Sequence, residues 1–445
     1  MSSYIRRKTT GDTEWFVHDR FGMFIHFGLY AMPARHEWVK KHESISEAKY
    51  DCYFQNFNPD LFDAREWAKA AKKAGMKYAV LTTKHHEGFC LFDSEFTDYK
   101  ITNTPFGRDL VKEYVEAFRA EGLRVGFYYS LIDWHHPEFP IDIQHPRRKD
   151  AGAEELDRGR DMKKYAEYMR NQVTELLTNY GKIDIIWFDF SYHPHPANVD
   201  LKPWMQFGGG KGKDEWEAER LVQTVRSLQP DIIINNRLEL PQDIDTPEQY
   251  QVNSWPCFED GSYKTWEACQ TFSGSWGYHR DEQTWKSPKM LVEMLIKTVA
   301  CGGNLLMNVG PCARGYFDKR AVDALDAFGM WMKYNSRSIY GCTMAEPEFT
   351  APDGTYLTQS EDGKRLYIHL LVYPFGKLYV KGIADKIKYA QFLHDGSEVL
   401  YEKIKVGTNM HAGEVSTEEA EQYTLLRLPP VKPDTEVPVI EILLK

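Results

Sequence analysis

Short apolar runs alternate with longer stretches of helical spacing along most of the chain. The run at 23–29 is followed by a helical stretch at 62–75, which leads directly into a second run at 76–86. In the stretch 162–179, apolar side chains recur at steps of three and four, which gives a helix one apolar face. The runs predict strands that are buried on both faces, and buried strands linked by helices predict a parallel sheet.

The number of these units favours a closed barrel over an open doubly wound sheet. Further apolar runs lie at 123–131, 182–190, 231–237 and 304–310. This series suits a (β/α)8-like (TIM-type) barrel, which typically takes ~250 residues or more.

Beyond about residue 340 the helical spacing disappears, and short β-rich runs broken by Gly, Pro and Asp take its place. This change predicts a separate all-β unit. We therefore predict an α/β fold with a catalytic (β/α)8-like barrel at residues 1–342 and a small C-terminal β-sandwich at residues 343–445.

Composition and charge restrict the partners. The chain has 445 residues and a formal net charge of −10 at pH 7. An acidic chain without a basic block is unsuited to a nucleic-acid backbone, so no nucleic-acid partner is expected. No apolar run approaches the ~18 residues that a membrane span needs, so no membrane partner is expected. Aromatic residues make up 14% of the chain, which suits a sugar-binding cleft because aromatic faces stack on the C–H faces of sugars.

The cysteines bear on location. All seven are scattered, and none forms a Cys-x-x-Cys pair. No apolar segment follows the basic residues near the start of the sequence. Both features predict reduced thiols and a cytoplasmic protein. A mature form whose signal peptide was removed is the alternative.

Polar residues gather at the predicted carboxyl ends of the strands. A barrel enzyme builds its active site at these ends, so we expect the side chains to converge there. A helix cap or a structural hydrogen bond is the alternative for any one of them. The candidates are His26, His85, His86, Tyr129, Asp189, Arg237 and Glu248.

Two of these candidates are carboxylates, a pair that suits hydrolysis of a glycosidic bond. One carboxylate attacks the anomeric carbon, and the other protonates the leaving oxygen. A separation of ~5 to 5.5 Å between the two groups would indicate a retaining enzyme, and ~6.5 to 9.5 Å an inverting one. The sequence alone leaves this choice open.

Several segments of the chain resemble the α-L-fucosidases of glycoside hydrolase family 29. They occur in order through the predicted barrel, and the most specific are TTKHHEGFCLFDS at 82–94 and GGNLLMNVGP at 302–311. The resemblance implies a barrel followed by a β-sandwich, and exo-acting hydrolysis of terminal α-L-fucosides by retention through an aspartate nucleophile. It implies fucosylated oligosaccharides or small α-L-fucosides as substrates. No cofactor is expected, and self-association into a homo-oligomer is a further expectation.

The resemblance also implies roles for individual carboxylates. The family's nucleophile falls on Asp189 in the segment DIIWFD, and the acid/base falls on Glu248 in DIDTPEQ. Other members take the acid/base from a later loop, where Glu259, Glu267 and Glu282 are the rival candidates.

Further positions of the family's sugar pocket can be carried over. The resemblance places His26, His85 and His86 on the sugar hydroxyls, with Glu37 and Trp38 closing over the ring. Tyr129, Trp187 and Arg237 match other positions around the sugar, and Trp276 matches an aromatic residue at its methyl group. The residue after the nucleophile, often glycine in the family, is Phe190 here. We expect Phe190 to add to the apolar wall or to narrow the cleft.

Two other functions remain as alternatives. One is a metal-dependent hydrolase on the same barrel, with His26, His85, His86 and Asp189 as ligands. No metal is expected, because adjacent histidines on a strand point to opposite sides. The other is a non-catalytic fucose-binding protein. The roles of His135, His136, His193 and His195 also stay open.

Overall fold

The computed structural model describes residues 4–192, 210–406 and 421–445, so His193 and His195 lie outside the described residues. Its larger sheet is parallel and seven-stranded, in the order β5-β4-β3-β2-β1-β7-β6. Apart from Arg124, its residues are buried, as expected for strands covered on both faces. The strands are β1 (Phe21–Ile25), β2 (Tyr78–Lys84), β3 (Arg124–Ser130), β4 (Ile185–Asp189), β5 (Ile233–Ile234), β6 (Glu267–Thr271) and β7 (Asn304–Val309).

An irregular segment at 244–248 closes this sheet into a barrel. Single parallel bridges join Asn235 to Ile244, Asp245 to Trp266, and Glu248 to Cys269. The segment therefore lies between the carboxyl end of β5 and strand β6, in the place of an eighth strand. No helix interrupts the chain between β5 and β6. The predicted (β/α)8-like barrel is confirmed, with this one position reduced to isolated bridges.

Helices cover the outside of the barrel, and side-chain caps begin the main ones. The Asp63 carboxylate, for example, accepts from the backbone N–H groups of Arg65 and Glu66 at the start of one helix. Such a cap satisfies donors that have no partner within the helix. The described helices are α1 (Glu14–Asp19), α2 (Val39–His42), α3 (Glu47–Asn56), α4 (Ala64–Lys73), α5 (Leu110–Ala120), α6 (Ala153–Asp157), α7 (Met162–Asn179), α8 (Ala218–Leu228), α9 (Pro288–Ala300) and α10 (Lys319–Asn335).

The C-terminal part consists of two antiparallel sheets. One has the order β12-β15-β10-β9-β8 and the other the order β11-β14-β13. Leucine, isoleucine and valine side chains from both sheets form a separate apolar core. The strands are β8 (Cys342–Met344), β9 (Thr355–Ser360), β10 (Arg365–Leu370), β11 (Lys377–Lys381), β12 (Ile387–Phe392), β13 (Tyr401–Val406), β14 (Glu421–Arg427) and β15 (Val439–Leu444).

Direct contacts hold this β-sandwich to the barrel. The Trp331 indole N–H donates to the carbonyl of Val437 at 2.9 Å, and the buried Arg20 guanidinium donates to the carbonyl of Cys342 at 2.8 Å. The sandwich therefore packs against the barrel, at a distance from its carboxyl end. Among the described residues, no helix is long and apolar enough to cross a bilayer.

Candidate active site

A pocket opens at the carboxyl end of the barrel strands. All the predicted site residues except Tyr129 line it, together with Phe24, Tyr128, Phe190 and Cys269. The aromatic, imidazole and carboxylate groups of this lining suit a sugar ring, because they offer both apolar faces and hydrogen-bonding atoms.

One guanidinium joins the two predicted catalytic carboxylates. Arg237 Nη1 donates to Asp189 Oδ1 at 2.8 Å and lies 2.6 Å from Glu248 Oε2. Since both oxygens contact the same nitrogen, they lie no more than about 5.4 Å apart, the sum of these two distances. Arg237 is held in place by Thr246, whose hydroxyl and carbonyl each accept from it at 3.1 Å. Its guanidinium also lies 4.6 Å from the centre of the Trp187 ring.

The two carboxylates differ in exposure. The Asp189 side chain is 13% exposed, whereas that of Glu248 is 40% exposed. Asp189 ends strand β4, and its second oxygen accepts from the Tyr128 hydroxyl at 2.8 Å. Burial raises the pKa of Asp189, whereas the Arg237 cation and the Tyr128 hydroxyl oppose the rise. Asp189 is therefore the deep carboxylate and Glu248 the one at the mouth.

Hydrogen bonds fix the tautomers of two pocket histidines. The Asn308 amide N–H donates to the carbonyl of Trp276, so its oxygen accepts from His26 Nδ1 at 2.6 Å. The Ser130 hydroxyl donates to the Ile132 carbonyl, so it accepts from His86 Nδ1 at 2.8 Å. In both rings the proton is on Nδ1 and Nε2 is left as an acceptor.

Burial keeps the histidines neutral. It lowers the pKa of His26 to about 3, and it places the pKa values of His85 and His86 well below the usual range. His85 Nδ1 is buried and has no hydrogen-bond partner among the described residues. The three rings thus offer neutral hydrogen-bonding atoms, as recognition of sugar hydroxyls requires.

Glu37 connects the loop after β1 to the loop after β6. One of its carboxylate oxygens accepts from the backbone N–H groups of Trp276 at 3.1 Å and Gly277 at 2.8 Å. The other oxygen is buried without a hydrogen-bond partner in the described part of the chain. Burial raises the pKa of Glu37 to about 7. Beside it, the Trp38 ring lies edge-on to His86 with ring centres 4.8 Å apart.

The prediction of Tyr129 as a pocket residue is wrong, and Tyr128 takes its place. Side chains alternate across a strand, so only one of two neighbours can face the barrel interior. Tyr128 packs inside the barrel, whereas the Tyr129 hydroxyl donates to Gln172 of helix α7 at 2.8 Å. Tyr128 reaches the nucleophile candidate directly.

The rival acid/base candidates lie away from the pocket lining. Glu259 is exposed. Glu267 is the first residue of β6, at the amino end of that strand, whereas the pocket lies at the carboxyl ends. Its carboxylate accepts from the Trp187 indole N–H at 3.3 Å. Glu282 accepts from the backbone N–H of Thr284 at 2.8 Å. Only Glu248 among these four lines the pocket.

The His135 ring stacks on Tyr99 and the His136 ring packs on Tyr168, with ring centres 3.8 and 4.1 Å apart, and neither lines the pocket. Sequence reasoning missed Phe24 and Cys269 as well as Tyr128. Phe24 could have been found from His26, because residues two apart in a strand point to the same side. Cys269 carried no signal in the sequence, although its sulfur accepts from Arg237 Nη2 at 3.7 Å.

No group of three or more His, Cys, Asp or Glu side chains in the described ranges is placed to hold a metal ion. The fold and the site together define an enzyme of the barrel glycoside hydrolase class, with a carboxylate pair in a pocket lined by aromatic and imidazole side chains. The sequence profile of α-L-fucosidases matches residues 5–337. The chain belongs to the α-L-fucosidase family, glycoside hydrolase family 29.

Individual relatives agree with this membership. An α-L-fucosidase of Dictyostelium discoideum is 31% identical over 356 residues, which cover 74% of this chain and 71% of the relative. The solved structure of α-L-fucosidase isoenzyme 1 from Paenibacillus thiaminolyticus is 45% identical, with a TM-score of 0.86 over 97% of this chain and 98% of that chain. A family 29 fucosidase from Bacteroides thetaiotaomicron, solved as a trapped covalent intermediate, is 28% identical with a TM-score of 0.79, over 100% of this chain and 98% of that chain.

Proposed function

We propose that this enzyme is a retaining, exo-acting α-L-fucosidase that works through a covalent intermediate on Asp189, with Glu248 as the acid/base. The main support is that one oxygen of each carboxylate contacts Arg237 Nη1, so that these two oxygens lie within about 5.4 Å of each other. This limit fits the ~5 to 5.5 Å typical of retaining enzymes and lies below the ~6.5 to 9.5 Å typical of inverting ones. The covalent intermediate trapped in the Bacteroides relative supports the same chemistry.

The two residues divide the reaction into two displacements. In the first, an Asp189 oxygen bonds to the anomeric carbon while Glu248 gives its proton to the departing glycosidic oxygen. In the second, Glu248 takes a proton from water, the water oxygen bonds to the anomeric carbon, and the Asp189 ester bond breaks. Arg237 and Tyr128 stabilise the carboxylate that attacks in the first step and departs in the second.

The pocket walls support a terminal fucose as the bound sugar. The acceptor nitrogens of His26 and His86 suit the ring hydroxyls, as does the Glu37 oxygen that accepts no hydrogen bond from the described residues and lies 3.3 Å from His36 Nδ1. Trp276 and Phe24 form an apolar wall, with ring centres 5.9 Å apart, which suits a C6 methyl group. Because the barrel core closes the bottom of the pocket, the leaving group extends only through the mouth. Small α-L-fucosides or fucosylated oligosaccharides are therefore the proposed substrates.

The test is turnover of 4-nitrophenyl α-L-fucoside, with the anomer of the first-formed fucose read by proton NMR. We expect α-L-fucose first and no loss of activity in EDTA. β-L-Fucose first would contradict retention, and inactivation by EDTA that added metal reverses would favour the metal-dependent alternative. Fucose binding without turnover would favour the non-catalytic alternative.

The seven free thiols support a reducing, cytoplasmic location.

Loss of the Tyr128 hydroxyl should weaken catalysis without unfolding the enzyme. A hydrogen bond to a charged group contributes about 1.5–3 kcal/mol, so Tyr128→Phe should lower kcat/KM by about 10- to 100-fold. The acidic limb of the pH profile should move to higher pH, because the hydroxyl now holds down the pKa of Asp189. The matched control is Tyr129→Phe, which removes the hydroxyl on the helix side. Equal losses in both variants would contradict the role of Tyr128.

Phe190 should set the tolerance for a group at C6. Its backbone is left-handed, with φ at +84°, and its ring packs on Trp38 and His86 with ring centres 5.1 and 5.0 Å away. We expect Phe190→Gly and Phe190→Ala to lower the preference for 4-nitrophenyl α-L-fucoside over the α-L-galactoside by about tenfold.

Thermal melting distinguishes the loss of the Phe190 ring from the relief of strain in its backbone. The glycine variant should melt above the alanine variant, because only glycine adopts this backbone without strain of about 1 kcal/mol. An unchanged substrate ratio in both variants would reject the role of the ring.

A further inference from the structure

Two cations stand beside the pocket without a carboxylate partner. Lys41 Nζ lies 4.8 Å from the centre of the Trp38 ring and donates to the side-chain oxygen of Gln144. The Arg148 guanidinium donates to the carbonyl of His145 at 3.2 Å. In the described ranges, neither cation comes within ion-pair distance of a carboxylate. Both side chains are half-buried.

The carboxylates in this region are already engaged. Asp142 attracts both Lys41 and Arg148 electrostatically, but its ion pair is with Lys211, so the two cations leave a local excess of positive charge. This excess contrasts with the formal charge of −10 on the whole chain. The engaged pairs are Arg35–Glu43 at 2.6 Å, Lys40–Glu47 at 3.1 Å, Arg147–Asp150 at 3.0 Å and Lys211–Asp142 at 3.2 Å.

The position of the cations points to the leaving group and not to the fucose ring. The Trp38 ring lines the pocket, whereas Lys41, which lies against that ring, does not. Helix α2, which carries Lys41, packs against the turn at 146–149, which carries Arg148. The charge of Lys41 still reaches the site, since it helps burial and His26 to lower the pKa of His86. A group beyond the glycosidic oxygen would leave through the mouth that Trp38 borders.

We propose that Lys41 and Arg148 form a subsite for a negatively charged leaving group, a carboxylate or a sulfate on the sugar to which fucose is attached. The inference rests on the proposed hydrolysis of α-L-fucosides and adds the class of leaving group. Desolvation lowers the pKa of Lys41 to about 8, so its ammonium remains mainly charged at pH 7. The ammonium and the guanidinium both have donors to spare for an anion.

The test compares aryl α-L-fucosides that differ in charge but hardly in shape. The neutral probe carries a 4-carbamoylphenyl group, and the two anionic probes carry 4-carboxyphenyl and 4-sulfophenyl groups. The measured quantity is the ratio of kcat/KM for each anionic probe to that for the neutral probe, at low ionic strength. Because intrinsic reactivity cancels between proteins, the change in this ratio on mutation reports the charge of the subsite.

We expect Lys41→Gln and Arg148→Gln each to lower the ratio by about fivefold, in keeping with partly exposed ion pairs. Turnover of the neutral probe should stay within about twofold. Lys41→Arg should restore the ratio, and added salt should lower it in the unmutated enzyme. The control is Lys69→Gln, an exposed lysine on helix α4 that pairs with Glu66. The carboxylate probe and the sulfonate probe, which stands in for a sulfate, show which anion the subsite prefers.

Equal ratios in the unmutated enzyme and in both glutamine variants would overturn the proposal, as would equal losses on the neutral and anionic probes. Failure of the unmutated enzyme to hydrolyse any probe would instead contradict the proposed function. The subsite is then judged by dissociation constants of the same probes from calorimetry. The same fivefold loss of preference supports it, and unchanged constants overturn it.

Discussion

Replacement of Asp189 by alanine is expected to lower kcat/KM for 4-nitrophenyl α-L-fucoside by at least about 10⁴-fold, the scale of losing a catalytic nucleophile. The other pocket carboxylates are placed differently, since the Glu248 side chain is 40% exposed at the mouth and Glu37 is held by the backbone N–H groups of Trp276 and Gly277. Initial rates at saturating and limiting substrate provide the measurement. Asp189→Asn is the matched variant, since it keeps the shape of the side chain and removes its charge.

Added azide distinguishes a lost nucleophile from a damaged pocket. In Asp189→Ala, azide can enter the space left by the carboxylate and attack from the same side as Asp189 did. The product would be β-L-fucosyl azide, with the configuration inverted in a single displacement. Retention of activity without azide, or rescue that yields the α-azide, would mean that Asp189 is not the nucleophile.

Replacement of Glu248 by alanine should have an effect that depends on the leaving group. A fucosylated sugar leaves poorly, so loss of the proton donor should lower its kcat/KM by about 10³-fold. Nitrophenol leaves without help, so its kcat/KM should fall far less. Its kcat and KM should fall together, because the glycosyl-enzyme accumulates when no base activates water. The measurement is the ratio of kcat/KM for 4-nitrophenyl α-L-fucoside to that for a fucosylated disaccharide.

The matched control is Glu259→Ala, which removes an exposed carboxylate outside the pocket. Azide should accelerate Glu248→Ala and yield the α-azide, the opposite configuration to that from Asp189→Ala, because azide here intercepts the covalent intermediate. If Glu259→Ala or Glu282→Ala showed the leaving-group dependence and Glu248→Ala did not, the acid/base would be one of those rivals.

Much of the barrel was predictable because its strands are buried on both faces and therefore appear as apolar runs. Asp189 was the most predictable site residue: a carboxylate that ends the run IIWFD must lie at the carboxyl edge of the sheet. His26 and His86 were found by the same argument. The predicted convergence of strand ends is what the pocket shows.

Because both faces of β3 are buried, the sequence alone does not show which of Tyr128 and Tyr129 faces the pocket. In a strand with one solvent-exposed face, the alternation of polar and apolar residues shows which side chains point inward. In RVGFYYS both faces are apolar, so the sequence lacks that alternation. Counting back from Asp189 would have resolved it only with the register of β4 against β3, which pairs Asp189 with Ser130. That register depends on contacts between strands and is absent from the local sequence.

The irregular segment at 244–248 has a consequence for how this enzyme class can diversify. Asp189 belongs to a strand paired on both sides, so shifting it would disturb two hydrogen-bonded ladders. The segment that carries Glu248 is joined to its neighbours by isolated bridges, so a change in its length interrupts no continuous ladder, although it would move the Thr246 groups that hold Arg237. A shift of the proposed proton donor therefore costs fewer strand hydrogen bonds than a shift of the proposed nucleophile.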